Sequence, residues 1–266
     1  MNIAILFSGE IRQLNSTKDY WLKIKEKYNA DIFGSFWNNY ENDDTIENFI
    51  NIYNPVRYEV ESQDIIKDTF VNQLMNDVNI PYVIINDGEC ERIKNGNILY
   101  MTYKIWRSNS LTKLVDKKYS IVIRARTDIT FNKHLNLKEN MYFNIPSGFT
   151  ILSGMEKHWG FLDLFSYAKP EIMDYYSSFI FHFIKYIKDG FFVWTPEYML
   201  RIHLSQKKLK INQFANHLYL HRKNEIVNVN SYLDLNQPSN LIDLEQEIPP
   251  IGYNCYRENF ELYKNI

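Results

Sequence analysis

The sequence predicts an α/β fold in which helices flank a mostly parallel central sheet. Two runs, Asn2–Phe7 and Ile121–Ile123, are continuously apolar, which is typical of strands that are buried on both faces. Apolar residues at helical spacing follow the first run through Ile24 and precede the second over Asn97–Val115. Strands that alternate with helices favour a parallel sheet, because parallel strands need a crossover connection.

The other predicted elements follow from similar patterns. Strands are predicted over Ala30–Trp37 and Arg57–Glu61, and helices over Ser62–Val78, Pro170–Lys188 and onward from Thr195-Pro196-Glu197. A short surface helix that ends at Asn54-Pro55 carries Asp43, Asp44 and Glu47, whose carboxylates we expect to be solvated. From Glu225 onward, prolines and polar residues interrupt any long element.

The length and composition favour a single domain. The chain has 266 residues, of which 45% are apolar, and no linker or internal repeat divides them. We therefore expect one domain over residues 1–266, with a C-terminal arm from about residue 225. The net charge of -2 and the pI near 6.3 argue against nucleic acid or acidic membranes as general partners.

The sequence also predicts a cytoplasmic location. Cys90 and Cys255 are too few for a disulfide framework, which indicates free thiols in a reducing compartment. The N-terminus lacks a signal-peptide pattern, and the apolar segment Phe179–Ile187 is too short to span a bilayer. The Asn, Ile, Lys and Tyr content is typical of an AT-rich genome, bacterial or viral, and a viral protein would act in the host cytoplasm.

The most informative stretch is Tyr119–Thr130, in which an apolar strand continues into two arginines and an aspartate. Side chains alternate between the two faces of an extended chain, so Arg124, Arg126 and Asp128 are expected on one side. In open α/β sheets, ligands bind beyond the carboxyl ends of the parallel strands. The charged triplet therefore marks the predicted binding site.

These three side chains suit a ligand that carries phosphate. Guanidinium groups match phosphate oxygens and stay charged, whereas Asp128 could hold a divalent cation shared with a diphosphate or accept a hydrogen bond from a sugar hydroxyl. In the alternative interpretation, Asp128 only neutralises Arg126 at the strand end.

Two other places carry candidates for nucleotide contacts. Ser8, Gly9 and Arg12 follow the first strand, where the turn of a β-turn-α unit borders the ligand crevice, although a plain tight turn explains Ser8 and Gly9 equally well. Asn109 stands in the apolar stripe of the helix before the charged strand. Its amide either is satisfied by neighbouring backbone or hydrogen-bonds a ligand.

Candidates for acid–base chemistry lie later in the chain. Asp163 is embedded among apolar residues, which suggests either a sugar-facing acid or a turn-capping aspartate. Glu197 opens a helix, a position that the helix dipole explains without any function but that also suits a catalytic carboxylate. His217 and His221 share a face on a helix or a strand, and without a nearby acidic ligand they are weak evidence for a metal site.

Several of these motifs together resemble a known family. The segments Ser8–Arg12 (SGEIR) and Ile123–Ile129 (IRARTDI) are similar to the motifs SGQxR and V-I-R-x-R-P-D-L in small bacterial and viral glycosyltransferases of the GT-A type. Asp163–Ala168 and Pro196–Leu204 are also similar to segments of that group, so the resemblance spans most of residues 1–205.

The resemblance implies a GT-A, Rossmann-like fold and the transfer of a sugar from a nucleotide-diphosphate donor to a hydroxyl acceptor on a glycan or another biomolecule. The expected donor is UDP-hexose, for example UDP-glucose, and an inverting reaction would use Asp163 as the base, with Glu197 as the second candidate. GT-A enzymes hold Mn²⁺ or Mg²⁺ with an Asp-x-Asp motif. The matching triplet here is Arg126-Thr127-Asp128, which leaves Asp128 as the metal ligand and implies weak or absent metal dependence.

Two other functions compete with this one. A nucleotidyltransferase would use the same kind of sheet, but such enzymes usually carry a Gly-rich basic loop that the SGEIRQ turn lacks. A carbohydrate- or nucleotide-sugar-binding protein without catalysis is compatible with the 16% aromatic content, although aromatic residues fill cores as readily as sugar sites. The charged groups at the strand end favour the enzyme, and the sequence has no pattern that indicates the acceptor or the oligomeric state.

Overall fold

The computed structural model describes residues 1–38, 44–66, 97–133, 135–146, 161–188, 196–207, 209–214, 217–223, 225–229 and 241–243. The helices in these ranges are α1 (Leu14–Tyr28), α2 (Ile46–Tyr53), α3 (Gln63–Ile66), α4 (Asn97–Leu111), α5 (Pro170–Ser177), α6 (Phe179–Lys188) and α7 (Pro196–Gln206). The strands are β1 (Ile3–Gly9), β2 (Asp31–Trp37), β3 (Arg57–Glu61), β4 (Ile121–Ala125), β5 (Ile129–Phe131), β6 (Phe143–Pro146), β7 (Phe165–Ala168), β8 (Lys210–Phe214), β9 (Leu218–His221), β10 (Ile226–Asn228) and β11 (Leu241–Asp243).

The large sheet has eight strands in the order β11-β8-β6-β7-β4-β1-β2-β3. The four strands β3, β2, β1 and β4 are parallel, and β6 is parallel to β8. The strand β7 runs antiparallel between β4 and β6, and β11 runs antiparallel at the edge. The predicted α/β class with a mostly parallel sheet is therefore confirmed, whereas the GT-A fold itself stays a prediction.

Both faces of the central strands β1 and β4 are buried, as the apolar runs predicted. Alternate residues of β1 show this arrangement, because Ile5 and Phe7 pack in the cluster that includes α1 and α2, while Ala4 and Leu6 pack with α4, α5 and α7. Trp21 of α1 meets Phe7 edge to face, with 5.2 Å between the ring centroids. Burial of each large apolar side chain contributes about 1.5–3 kcal/mol to folding.

A second, smaller sheet has the antiparallel order β10-β9-β5 and packs on the same core as α1. The strands β10 and β11 are the only parts of the predicted C-terminal arm that contain described secondary structure, and most of that arm lies outside the described residues. The structure describes the predicted helix over Ser62–Val78 only as far as residue 66. None of the helices that the structure describes is long and apolar enough to cross a membrane.

The segment Pro170–Lys188 forms two helices, so the prediction of a single helix was wrong. The chain turns at Ser178, whose Oγ donates a hydrogen bond to the carbonyl of Tyr175 at 2.7 Å. A serine side chain competes with the helical backbone for hydrogen bonds, which accounts for the helix end at this position.

The helices α5, α6 and α7 enclose a fully buried histidine, His203. Its Nε2 donates to the carbonyl of Tyr175 at 2.7 Å, so its Nδ1 accepts from the hydroxyl of Tyr186 at 2.9 Å. The imidazole stacks on the ring of Tyr175, with 4.2 Å between the centroids. Burial lowers the pKa of His203 from 6.5 to about 4, and the hydrogen bond to the Tyr175 carbonyl opposes this shift.

We predict that His203 makes the fold less stable as the pH falls from 7 to 5. The unfolded chain protonates this histidine near pH 6.5, whereas the folded chain does so only near pH 4, so the stabilising contribution is complete above 6.5 and is lost on acidification. The expected loss at pH 5 is about 2 kcal/mol. Urea denaturation of the unmodified chain and of His203→Gln at both pH values measures it. The variant should lose about 2 kcal/mol less, and equal losses would contradict the assignment.

Candidate functional site

Two turns meet at the carboxyl edge of the parallel strands. Ser8 and Gly9 end β1 and lead into a turn that carries Arg12, and the other turn follows β4. Thr127 of the second turn joins them, because its Oγ1 accepts from the backbone N–H of Arg12 at 2.9 Å and donates to the Arg12 carbonyl at 2.9 Å. Gly9 has φ +105°, in the region that favours glycine. The two motifs singled out in the sequence are thus adjacent in space.

The charged stretch is not one continuous strand, which corrects the sequence prediction. The strand β4 ends at Ala125, and residues 127–128 form a turn into β5 of the second sheet. The carbonyl of Asp128 accepts from the backbone N–H of His221 at 2.8 Å. The chain leaves the large sheet here because its hydrogen-bond partners change from β1 and β7 to β9.

Arg126 and Asp128 form a two-pronged ion pair. The Nε of Arg126 donates to Oδ1 of Asp128 at 2.9 Å, and Nη2 donates to Oδ2 at 2.6 Å. The aspartate side chain is 1% exposed, whereas that of the arginine is 24% exposed. This geometry corresponds to the neutralising pair that the sequence left open as the alternative. The guanidinium still reaches solvent and can meet a ligand.

Arg124 has no carboxylate partner among the described residues. It is 1% exposed, its Nε donates to Oγ of Ser8 at 3.2 Å, and its Nη1 has no hydrogen-bond partner. In the sheet it lies between Leu6 of β1 and Ser166 of β7. A buried cation without an anion is costly in free energy. The arrangement is one that an anion from outside would stabilise.

The charges of Arg124 and Asp163 act in opposite directions on the pKa of a buried tyrosine. Burial raises the pKa of Tyr176 on α5, the positive charge of Arg124 opposes the shift, and the negative charge of Asp163 adds to it. Asp163 and Tyr176 line a recess of about 10 Å³, room for about one water molecule. The other lining residues are Met101, Thr102, Ile105, Ser177, Phe179 and Leu200. The predicted acid and the predicted phosphate-binding arginine therefore act on one hydroxyl group.

Asn109 and Glu197 lie on helices of the same side of the sheet. The amide of Asn109 donates to Oδ1 of Asp174 at 2.7 Å and to Oγ of Ser177 at 3.0 Å, so side chains of α5 satisfy it rather than neighbouring backbone. The carbonyl of Glu197 accepts from the backbone N–H of Phe161 at 3.1 Å. That bond ties the start of α7 to the segment that leads into β7.

The amino terminus of α1 is occupied by a carboxylate from elsewhere in the chain. Asp44 accepts from the backbone N–H groups of Gln13 and Leu14, the latter at 3.1 Å. Asp44 is buried at 8% exposure, so the expectation that it is solvated was wrong, while Glu47 is exposed as expected and Asp43 lies outside the described residues. A helix N-terminus commonly binds phosphate, but here an internal acid already satisfies it. Anion recognition at this edge therefore depends on arginine side chains.

Thr127, Ser166 and Tyr176 were not predicted from the sequence to belong to this region. His221 was considered there only as weak evidence for a metal site. His221 and its partner His217 lie on or beside the strand β9. The Nε2 of His221 is 2.8 Å from Oγ1 of Thr130, burial lowers its pKa, and Asp128 opposes that shift. The position of Thr127 between two charged residues was a usable signal, whereas Ser166 and Tyr176 have none in the sequence.

The groups around Asp128 fit a divalent cation poorly. Both oxygens of this predicted metal ligand accept hydrogen bonds from Arg126. Within the ranges that the structure describes, no group of three or more His, Cys, Asp or Glu is arranged to hold a metal ion. Metal binding by Asp128 would require the ion pair to open.

We predict opposite stability effects for the two arginines. Arg124→Met removes a buried charge that has no counter-ion in the described part of the chain, so the free energy of unfolding without ligand should stay equal or rise by up to about 2 kcal/mol. Arg126→Met leaves the buried Asp128 without its guanidinium and should lower that free energy by about 3 kcal/mol. Urea denaturation measures both. A loss in Arg124→Met as large as that in Arg126→Met would mean that Arg124 is fully compensated in the folded chain.

No protein-family model matches the chain, and no curated protein matches it significantly.

Proposed function

We propose that this chain is a glycosyltransferase that transfers a sugar from a nucleotide-diphosphate donor to a hydroxyl acceptor on a glycan or another biomolecule. The observation that carries the proposal is the buried Arg124, which has no counter-ion among the described residues and whose Nη1 has no hydrogen-bond partner there, at the carboxyl edge of parallel strands. A donor diphosphate supplies the missing negative charge. The GT-A fold and a UDP-hexose donor belong to the proposal through the sequence resemblance.

Each residue of the strand-end turns has a role in this proposal. Arg124 and Arg126 bind the diphosphate and stabilise the negative charge that grows on it as the sugar leaves. Arg12 borders the same turn, with Glu10 as its ion-pair partner. Ser8 holds the guanidinium of Arg124, and the absence of a side chain at Gly9 leaves room for close approach of the donor.

Asp163 is the preferred base if the reaction inverts the configuration of the sugar. It lies in the electrostatic environment of Tyr176 together with Arg124, which supports a position near the reacting centre. Glu197 is the second candidate, at the start of α7. The amide of Asn109 already has hydrogen-bond partners on α5. In this proposal Asn109 therefore stabilises the packing of α4 against α5 behind the site.

No step of the proposed reaction is assigned to a metal ion, because Asp128 is fully engaged by Arg126. A Mn²⁺ or Mg²⁺ ion would supply charge neutralisation on the diphosphate, the role that the arginines fill here. A cytoplasmic location is also part of the proposal, since the two cysteines are too few for a disulfide framework.

The first test measures the release of free nucleoside diphosphate from a panel of UDP-, GDP- and dTDP-sugars, with Mn²⁺ and separately with a chelator. We expect release from one donor, survival of that release in chelator, and a loss of about 100-fold in Arg124→Met. Asp128→Asn should also lose release, because Arg126 loses the carboxylate that orients it. Lys117→Met, at the opposite edge of the sheet beside Asp31, is the matched control and should stay within about twofold.

The outcomes separate the competing functions. If no donor releases nucleotide and no nucleotide sugar raises the melting temperature, the transferase proposal fails. If a nucleotide sugar raises the melting temperature without turnover, the chain is a binding protein. Release that stops in chelator would mean that the Arg126–Asp128 pair opens to hold a metal.

A second test assigns the base. For an inverting enzyme we expect Asp163→Asn to lower kcat for donor turnover by about 100-fold, with donor Kd unchanged. Glu197→Gln should behave like the unmodified chain. Turnover by Asp163→Asn at the unmodified rate would exclude Asp163 as the base, and a loss confined to Glu197→Gln would transfer the role to that residue.

A further inference from the structure

The hydroxyl group of Thr127 directly links the turn after β4 to the backbone of Arg12. Thr127 is 1% exposed, and its Oγ1 both accepts from the N–H and donates to the C=O of Arg12, each at 2.9 Å. In the sequence Thr127 stands between Arg126 and Asp128, which pair with each other. One hydroxyl therefore connects the backbone of one arginine to the turn that carries another.

The helix α1 holds the far side of the same turn. The Oγ1 of Thr17 donates to the carbonyl of Thr127 at 2.6 Å, and Nε1 of Trp21 donates to the carbonyl of Ile129 at 2.9 Å. Thr17 and Trp21 are fully buried and lie four residues apart, on one face of the helix. The backbone over residues 127–129 is thus fixed to α1, and the hydroxyl of Thr127 joins the backbone of Arg12 to this fixed segment.

The chemistry of this link requires a hydroxyl group. A hydroxyl can accept one hydrogen bond and donate another, which is what the N–H and C=O of Arg12 demand. Valine has nearly the same shape but can do neither, so it would leave both backbone groups of Arg12 without this partner. Serine keeps both hydrogen bonds.

We infer that Thr127 is a positioning residue that sets the spacing between Arg12 and Arg126 for recognition of a diphosphate. The ligand class in this inference rests on the proposed function. A diphosphate bridges two guanidinium groups when the spacing of these groups matches the spacing of its oxygens. A site that already has this spacing avoids the free-energy cost of reorganising when the ligand binds.

The test compares Thr127→Val with Thr127→Ser in the full chain. Calorimetry with UDP and with inorganic pyrophosphate measures Kd, and NMR-detected hydrogen exchange measures protection of the Arg12 amide. We expect Thr127→Val to weaken both ligands at least about tenfold and to speed exchange at Arg12 by a similar factor, with Thr127→Ser within about twofold. Tyr119→Phe is the control for general loss of stability, because it removes a hydrogen bond of 2.7 Å to Asp31 at the other end of β4.

The two readouts separate this inference from the proposed function. Faster exchange at Arg12 together with weaker binding in Thr127→Val alone supports the inference. Unchanged exchange, or equal weakening in Tyr119→Phe, overturns it. If the unmodified chain binds neither UDP nor pyrophosphate, the diphosphate site of the proposed function fails and the ligand-positioning role falls with it, whereas the exchange data still decide whether Thr127 joins the turns.

Discussion

The strand β4 is covered on both faces, and this constraint determines where charge can lie in the chain. Ile121 and Ile123 pack in one apolar cluster and Val122 in the other, so a charged side chain within the strand has little access to water. Arg124 lies within the strand nevertheless, where β1 and β7 still flank it. The apolar packing on both sides offsets the cost of burying this charge. Packing rather than a counter-ion among the described residues therefore holds Arg124, and its buried Nη1 has no hydrogen-bond partner there.

The three arginines of the strand-end turns differ in how they are neutralised. Arg126 and Arg12 have carboxylates of their own, Asp128 and Glu10, whereas Arg124 has none among the described residues. The uncompensated positive charge is thus localised on one buried group. Such a group costs stability in the free protein and gains it when an anion binds, which is the balance expected of a binding site and unexpected of a purely structural strand. This contrast between neighbouring arginines gives the functional proposal its physical basis.

The sequence predicted the fold more fully than the site. Apolar runs and helical spacing depend on local pattern, so β3 was predicted at its observed bounds and the α/β class was confirmed. The turn after Ala125 was missed because the sequence does not say that Ile129 pairs with Leu220 in a second sheet. The burial of Asp44 was missed for the same reason, since its partners at the start of α1 are 30 and 31 residues away in sequence. The role of Tyr176 depends on tertiary neighbours alone, so it has no signal in its own helix.

The position of Asp44 also explains why arginines carry the phosphate chemistry proposed here. In many α/β folds the first helix presents its N-terminal N–H groups to a phosphate, and these groups need no side chain. Here Asp44 takes the N–H groups of Gln13 and Leu14, so the helix dipole is already matched by an internal anion. A ligand phosphate must then be recognised by guanidinium groups, whose longer side chains need to be held in place. The ion pair of Arg126 and the hydroxyl of Thr127 supply that restraint, so the proposed function requires both turns to keep their positions.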